Sequence, residues 1–227
     1  MTGEVEDLTI YEMLRFISGG IGITFQLVPV CVLSTFLLGA VLGILQFRRI
    51  PVLSGLIDLY VVAMRGIPPL VVMMLLYYSV NISSSFLTAA AALTIYHTAY
   101  VTEIVRGGLV SVPKGQMQAG ESLGLSYAQI MLWIYIPQIL LQIVPPLCGQ
   151  YILVVKDTTL VSIVGVQDIM WKARQLIAVT FDPILIYFLA GCIFYILCSA
   201  LELISHMVEK RMVGTVLRRQ AIGKERS

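Results

Sequence analysis

Charge is what this sequence has least of. Only 12% of its 227 residues are Asp, Glu, Lys or Arg, 58% are hydrophobic, and the mean hydropathy is +0.90. A water-soluble domain carries about 25% charged residues, and half that supply cannot clothe a soluble surface of this size. The 15 basic and 13 acidic residues leave a formal charge of +2, which excludes a polybasic nucleic-acid binder and an acidic disordered tail. Cysteine is scarce too. Cys31, Cys148, Cys192 and Cys198 sit in apolar runs without a C-x-x-C pair, so neither a zinc site nor a disulfide framework is indicated. There is no G-x-x-x-x-G-K-[ST] phosphate loop, no H-E-x-x-H, and no Ser/His/Asp spacing. Residues 1–7 carry Glu4, Glu6 and Asp7 but no basic residue. A signal peptide starts with a basic region, so the first apolar run is expected to stay in the mature chain.

What is present is a set of long charge-free runs: 16–47, 66–96, 122–155 and 183–201. About 20 apolar residues in a helix cross a bilayer core. The second run is interrupted by Asn81-Ile82-Ser83-Ser84-Ser85, a polar turn between two spans. Five spans are therefore expected: about 20–47, 66–80, 86–105, 122–155 and 183–207, an all-α integral membrane protein. Pro145-Pro146 is expected to kink or break the fourth. The small residues Ala89, Ala90, Ala91 and Ala92 suit a tightly packed bundle. Arg48, Arg49, Arg106, Lys114 and the tail residues Lys210, Arg211, Arg218, Arg219, Lys224 and Arg226 share one side of this topology. By the positive-inside rule that side is cytoplasmic, with the N-terminus outside and the C-terminus inside. Arg15, Lys172 and Arg174 run against the rule.

Two stretches carry the candidate chemistry. In residues 111–126 a polar segment leaves the bilayer, Pro113 can start a helix, and Gly120 and Gly124 stand four apart. A glycine costs about 1 kcal/mol against alanine inside a helix, so a pair implies close approach of another backbone: a short surface helix docking into a cytoplasmic partner. Lys156-Asp157 follows a charge-free run of 34 residues. Ionisable groups at membrane depth mark pathways, and Lys156 with Asp157 would suit the carboxylate and ammonium of a zwitterion. Thr158 and Thr159 add hydroxyls, and Gln150, nearly two turns earlier, could read the side chain of a polar uncharged amino acid. The alternative is that Lys156 and Asp157 satisfy each other at the membrane surface. Glu202 and His206 could be half of a metal site but lack a second pair, so an interfacial pair is expected there. His97 reads as a helix–helix hydrogen bonder.

The run Gln118-Ala119-Gly120, then Gly124, Ile134, Ile136 and Pro137, resembles the EAA loop of ABC importer permeases, E-A-A-x-x-x-G-x(9)-I-x-L-P. Residues 103–109 and 156–166, and Arg65-Gly66-Ile67-Pro68, are similar to the polar amino acid branch of that family. Gln118 stands for the family's Glu, Gly120 for its second Ala, and Ile67 for a Thr. The resemblance implies a type I ABC importer (MetI-like) permease fold and a role as the transmembrane subunit that moves a polar amino acid by alternating access. It implies coupling to the ATPase through Gln118, Ala119, Gly120, Glu121, Gly124 and Pro137. It implies substrate contact by Lys156, Asp157, Gln150, Thr158 and Thr159. Implied partners are ABC ATPase subunits, a second permease subunit (identical or similar), membrane lipid, and an extracytoplasmic amino acid-binding protein meeting outer loops such as 160–180. No cofactor belongs to this chain; ATP and Mg are expected on the ATPase.

The domain reading is an extracytoplasmic segment 1–19, a permease domain 20–207 with a coupling helix at about 112–126, and a cytoplasmic basic tail 208–227. The location is the cytoplasmic membrane of a prokaryote. Two rivals stand beside this reading. An ATP-independent transporter or channel would need ionisable relays in several spans. A membrane-embedded enzyme would have only Glu202, His206 and His97 to work with.

Overall fold

The computed structural model describes residues 8–80, 82 and 84–224, with side chains through 211. All regular structure among them is helical. The order is α1 (Ile10–Ser18), α2 (Ile21–Phe47), α3 (Leu53–Gly66), α4 (Pro69–Ser79), α5 (Ser85–Ser111), α6 (Lys114–Ser122), α7 (Tyr127–Ile130), α8 (Ile136–Asp157), α9 (Ile169–Thr180) and α10 (Pro183–Lys224). A π-helical turn, Met131–Tyr135, joins α7 to α8, and a 3-10 segment, Thr158–Val164, follows α8.

Three stretches are long and apolar enough to cross a bilayer: Ile10–Phe47, Tyr127–Val164 and Pro183–Arg211. α3 and α4 qualify only together and are bent by 110°. This corrects the straight second span expected at 66–80. The 11 residues of α4 rise about 17 Å, short of the roughly 30 Å hydrocarbon core. The bend has a local cause. Pro68 is extended, and a residue preceding proline is pushed out of the helical region, as Ile67 is with φ −104 and ψ 137. α5 is long enough, at 27 residues or about 40 Å, but its apolar character is diluted by buried Thr88, Thr94, Tyr96, His97, Thr98 and Thr102. It can hold them because it is the central helix, packed by α2, α3, α4 and α8 rather than by lipid. The five expected spans thus map onto α2, the α3–α4 pair, α5, α8 and α10.

Small residues set the closest contact. Ser34 bonds Thr94 (Oγ to Oγ1, 2.8 Å), and a Cβ at Gly39 or Gly43 would meet Val101 or the Thr102 carbonyl at 2.5 and 2.9 Å. The partners advance together along both helices, so α2 and α5 run parallel. The buried alanines Ala89, Ala90 and Ala92 join Leu27, Cys31, Met73 and Leu93 in the core between these helices.

α8 does not break at Pro145-Pro146, as the sequence suggested; it runs through both. Ile139, Ile143 and Leu147 are buried with Val101, Val105 and Leu109 of α5, and that packing offsets the backbone bonds the prolines remove. The break comes at Thr158 instead. Asp157 ends beside His97, twelve residues into α5, whereas a Cβ on Gly165 would lie 3.6 Å from Ser85 Oγ at its start. Twelve α-helical residues rise about 18 Å, and eight 3-10 residues about 16 Å, so the 3-10 segment climbs from mid-depth to the α1–α9 end. Such backbone survives at membrane depth only inside protein, and Thr158, Val161, Ser162 and Val164 are buried. The helix α10 continues past residue 207 to Lys224, so no helix end marks the expected tail. Residues 1–7 with Glu4, Glu6 and Asp7, Asn81 and Ser83 of the polar turn, and Arg226 lie outside the described residues.

Candidate functional site

The mid-depth cluster begins with His97, whose side chain is 1% exposed. The Gln150 amide donates to its Nδ1 at 2.7 Å, which leaves the ring proton on Nε2, 3.2 Å from Asp157 Oδ2. That last approach is off line for a hydrogen bond, since Nε2 has no bonded partner. The imidazole therefore bonds α8 at Gln150 and lies against Asp157 seven residues further on, both on one face of α8. His97 is the helix–helix hydrogen bonder its position suggested, through Gln150, with Asp157 beside its other nitrogen. Tyr96 meets its ring edge-on, with centroids 5.2 Å apart.

Of the residues nominated with Asp157, Gln150 is brought to the cluster, but its amide is spent on His97 and it is 7% exposed. Lys156 is exposed and on a different face of the helix from Asp157, as adjacent helical residues must be. Thr158 and Thr159 donate to the carbonyls of Val155 and Lys156, both at 2.7 Å. Each hydroxyl is thus turned back onto the last turn of α8, where the helix ends.

From this cluster a polar file descends one side of α5, missed because its members look scattered in the sequence. The hydroxyls of Tyr96 and Tyr100 bond at 3.1 Å, Arg65 covers the Tyr100 ring at 5.6 Å, and Arg65 approaches Glu103 at 3.8 Å. Arg106 donates two bonds to Glu103, at 3.0 and 2.9 Å. Spacings of three and four from Tyr96 to Arg106 were the available signal. The file reaches a cavity of about 460 Å³ lined by Gln46, Arg49, Arg106, Lys114, Gln118 and Tyr135. A neighbouring cavity of about 370 Å³ adds Ser54, Asp58 and Glu103, and there Gln46 donates to Asp58.

That end of the bundle carries α6. Gln118, Ala119, Glu121 and Ser122 are exposed, and Leu123 is 78% exposed. The two glycines do not serve as the sequence suggested. Gly120 is buried against this chain's own Ile130, whose Cγ1 a Cβ would meet at 2.8 Å. Gly124 has open space around it and φ +73; it ends α6 in a left-handed turn closed by Gly124 N–H to Glu121 O and Leu125 N–H to Gly120 O. Pro137 stands in the first turn of α8, after the π-helical turn. His206 approaches Glu209 at 3.8 Å rather than Glu202, and no group of three metal-capable side chains occurs among the described residues.

A bundle with an exposed helix at one end, a polar file through its central helix and a broken span at mid-depth has the form of a membrane permease. Residues 35–214 match the family model described as the binding-protein-dependent transport system inner membrane component, and the chain belongs to that family. It is 32% identical over 215 residues to the L-cystine transport system permease protein TcyB of Bacillus subtilis, covering 91% of this chain and 90% of that one. It is 30% identical over 204 residues to the arginine transport system permease protein ArtQ of the same organism, covering 88% and 90%. The fold superposes on a crystal structure of an amino acid ABC transporter with histidines at TM-score 0.80 and 27% identity, over 90% of this chain and 99% of that one. It also superposes on the MetNI methionine ABC transporter in an inward-facing conformation, at TM-score 0.76 and 16% identity, over 90% and 99%. The fold is the type I importer permease fold, and the protein is a membrane transport subunit, not an enzyme.

Proposed function

We propose that this chain is the transmembrane subunit of an ABC importer for a polar amino acid, working with a second permease subunit and two ATPases that carry the ATP and Mg. The observation that carries the substrate reading is the mid-depth meeting of Asp157, His97 and Gln150, continued as a polar file toward α6. Asp157 receives the α-ammonium and Lys156 the α-carboxylate, with His97, fixed by Gln150, beside Asp157; Thr158 and Thr159 line the broken helix end. An exposed Lys156 at this depth cannot face lipid without large cost, which supports a route between two subunits. The α6 end faces the cytoplasm, where Gln118, Ala119, Glu121 and Leu123 meet the ATPase, with Gly120, Gly124 and Pro137 shaping the loop. The N-terminus and α9 lie outside, toward a binding protein that delivers the amino acid. The permease relatives for cystine and arginine support the substrate class.

The test is import into vesicles containing the whole transporter. Lys156→Ala and Asp157→Asn are expected to lower uptake at least tenfold while the ATPase still co-purifies. Ala119→Arg is expected to lose the ATPase itself. Unchanged substrate affinity in both mid-depth variants would move the passenger's site elsewhere.

A further inference from the structure

A further cavity lies away from both sites above. It is a groove of about 1090 Å³ between α1 and α9, with Arg15 and Lys172 among its charged lining and Leu8, Phe16, Leu176 and Val179 on its apolar walls. Neither cation has a carboxylate partner within 4 Å among the described residues. Lys172 lies over the rings of Phe16 and Trp171, at 4.9 and 5.4 Å. The groove's acidic residue, Glu12, is occupied: the Thr9 N–H and hydroxyl donate to its Oε2 at 2.9 and 2.8 Å, closing the N-terminus of α1. Among the described residues the groove therefore presents two cations without a carboxylate partner, against the single charge of Glu12, above an apolar floor.

Its depth is set by packing. The charge-free run of α10 begins at Pro183, directly after Asp182, which places the edge of the hydrocarbon core there. One turn further on, Ile186 is buried together with Ile17 of α1 and Ile169 and Ala173 of α9. Arg15 and Lys172 neighbour those residues in sequence, so both stand at headgroup level. Around them Ile10, Tyr11 and Phe16 of α1 and Val179 of α9 are exposed, the amphipathic composition of a surface that lies in an interface.

From this geometry we infer that the α1–α9 groove seats the headgroup of an anionic phospholipid, its phosphate between Arg15 and Lys172 and its upper chain carbons on Phe16, Leu176 and Val179. The cations that run against the positive-inside rule are then a lipid site on the opposite leaflet. Each Lys or Arg near an anionic lipid surface contributes about fivefold in affinity, so the pair contributes roughly 25-fold.

Trp171 reports on this site. With Trp133→Phe it is the sole tryptophan of the two in the chain. The intact transporter is reconstituted in phosphatidylcholine vesicles containing brominated phosphatidylglycerol or brominated phosphatidylcholine. Brominated phosphatidylglycerol is expected to quench Trp171 at a roughly 25-fold lower mole fraction than brominated phosphatidylcholine. Arg15→Gln with Lys172→Gln is expected to raise that fraction roughly 25-fold and leave quenching by phosphatidylcholine unchanged. Arg15→Lys with Lys172→Arg is expected to keep the preference, which separates lost charge from lost folding. Equal quenching by the two lipids in the otherwise unaltered protein overturns the inference. So does a preference that survives both charge removals, or Trp171 emission that responds to the external binding protein and not to lipid charge.

Discussion

Asp168 shows what one residue must do where two segments meet. Its side chain is fully buried, and its Oδ1 accepts the Trp171 N–H at 2.9 Å to start α9. Its other oxygen, Oδ2, has no bonded partner. Opposite it, a Cβ on Gly20 would lie 2.4 Å from the Asp168 carbonyl, so only glycine lets the α1–α2 turn reach that backbone. Burial pushes the Asp168 carboxyl up to about 6, against the lowering by its backbone hydrogen bonds and Arg174. A carboxyl raised in the folded state favours folding fully below its unfolded value of about 3.9, and that contribution is lost as pH rises through about 6. The rise to about 6 corresponds to about 3 kcal/mol. Asp168→Asn keeps an acceptor for the cap and removes the charge. The melting temperature in detergent should therefore fall between about pH 4 and pH 6.5 in the parent and stay nearly level in Asp168→Asn. An identical pH dependence in both proteins would place the titration elsewhere.

Among the elements, the α2–α5 pair decides whether the bundle closes. Apolar surface gives no driving force between helices in lipid, so close approach and hydrogen bonds must supply it. Gly39 against Val101 and Ser34 against Thr94 supply both. Gly39→Leu should destabilise the protein by about 1–3 kcal/mol through overpacking. Pairing Gly39→Ala with Val101→Ala should recover most of the loss seen with Gly39→Ala alone, read as the detergent melting temperature; no recovery would mean that the contact is not the limiting one. The 3-10 segment Thr158–Val164 is the other decisive element. It ends α8 directly after Asp157, which helical register already sets beside His97 seven residues after Gln150, and it carries the chain on to α9 inside the protein.

For the whole molecule, the α6 end and the α1–α9 end stand on opposite faces of the membrane. Cysteine labelling in a background without Cys31, Cys148, Cys192 and Cys198 checks the orientation. Asp182→Cys, exposed at the α9–α10 turn, should react with an impermeant maleimide in intact cells, whereas Leu123→Cys should react only after permeabilisation. The reverse pattern would put α6 outside and remove its access to an ATPase.

Composition alone determined that the chain lives in a membrane, and its charge-free runs determined nearly where the helices lie, because lipid demands long apolar helices. The loop motif around Gly124 was visible too, but its glycine, read as a close approach to another backbone, takes a left-handed turn with open space around it. Tertiary structure decided the rest. It made α5 the central helix, where neighbours satisfy the polar side chains that lipid would not. It bent the second span at Pro68, carried α8 through its prolines on the packing of Ile143 and Leu147, and turned Gly120 toward Ile130. It also joined His97 to Gln150 and Asp157, residues more than fifty positions away in the chain. Such pairings depend on which helix faces meet, and local sequence carries no record of that.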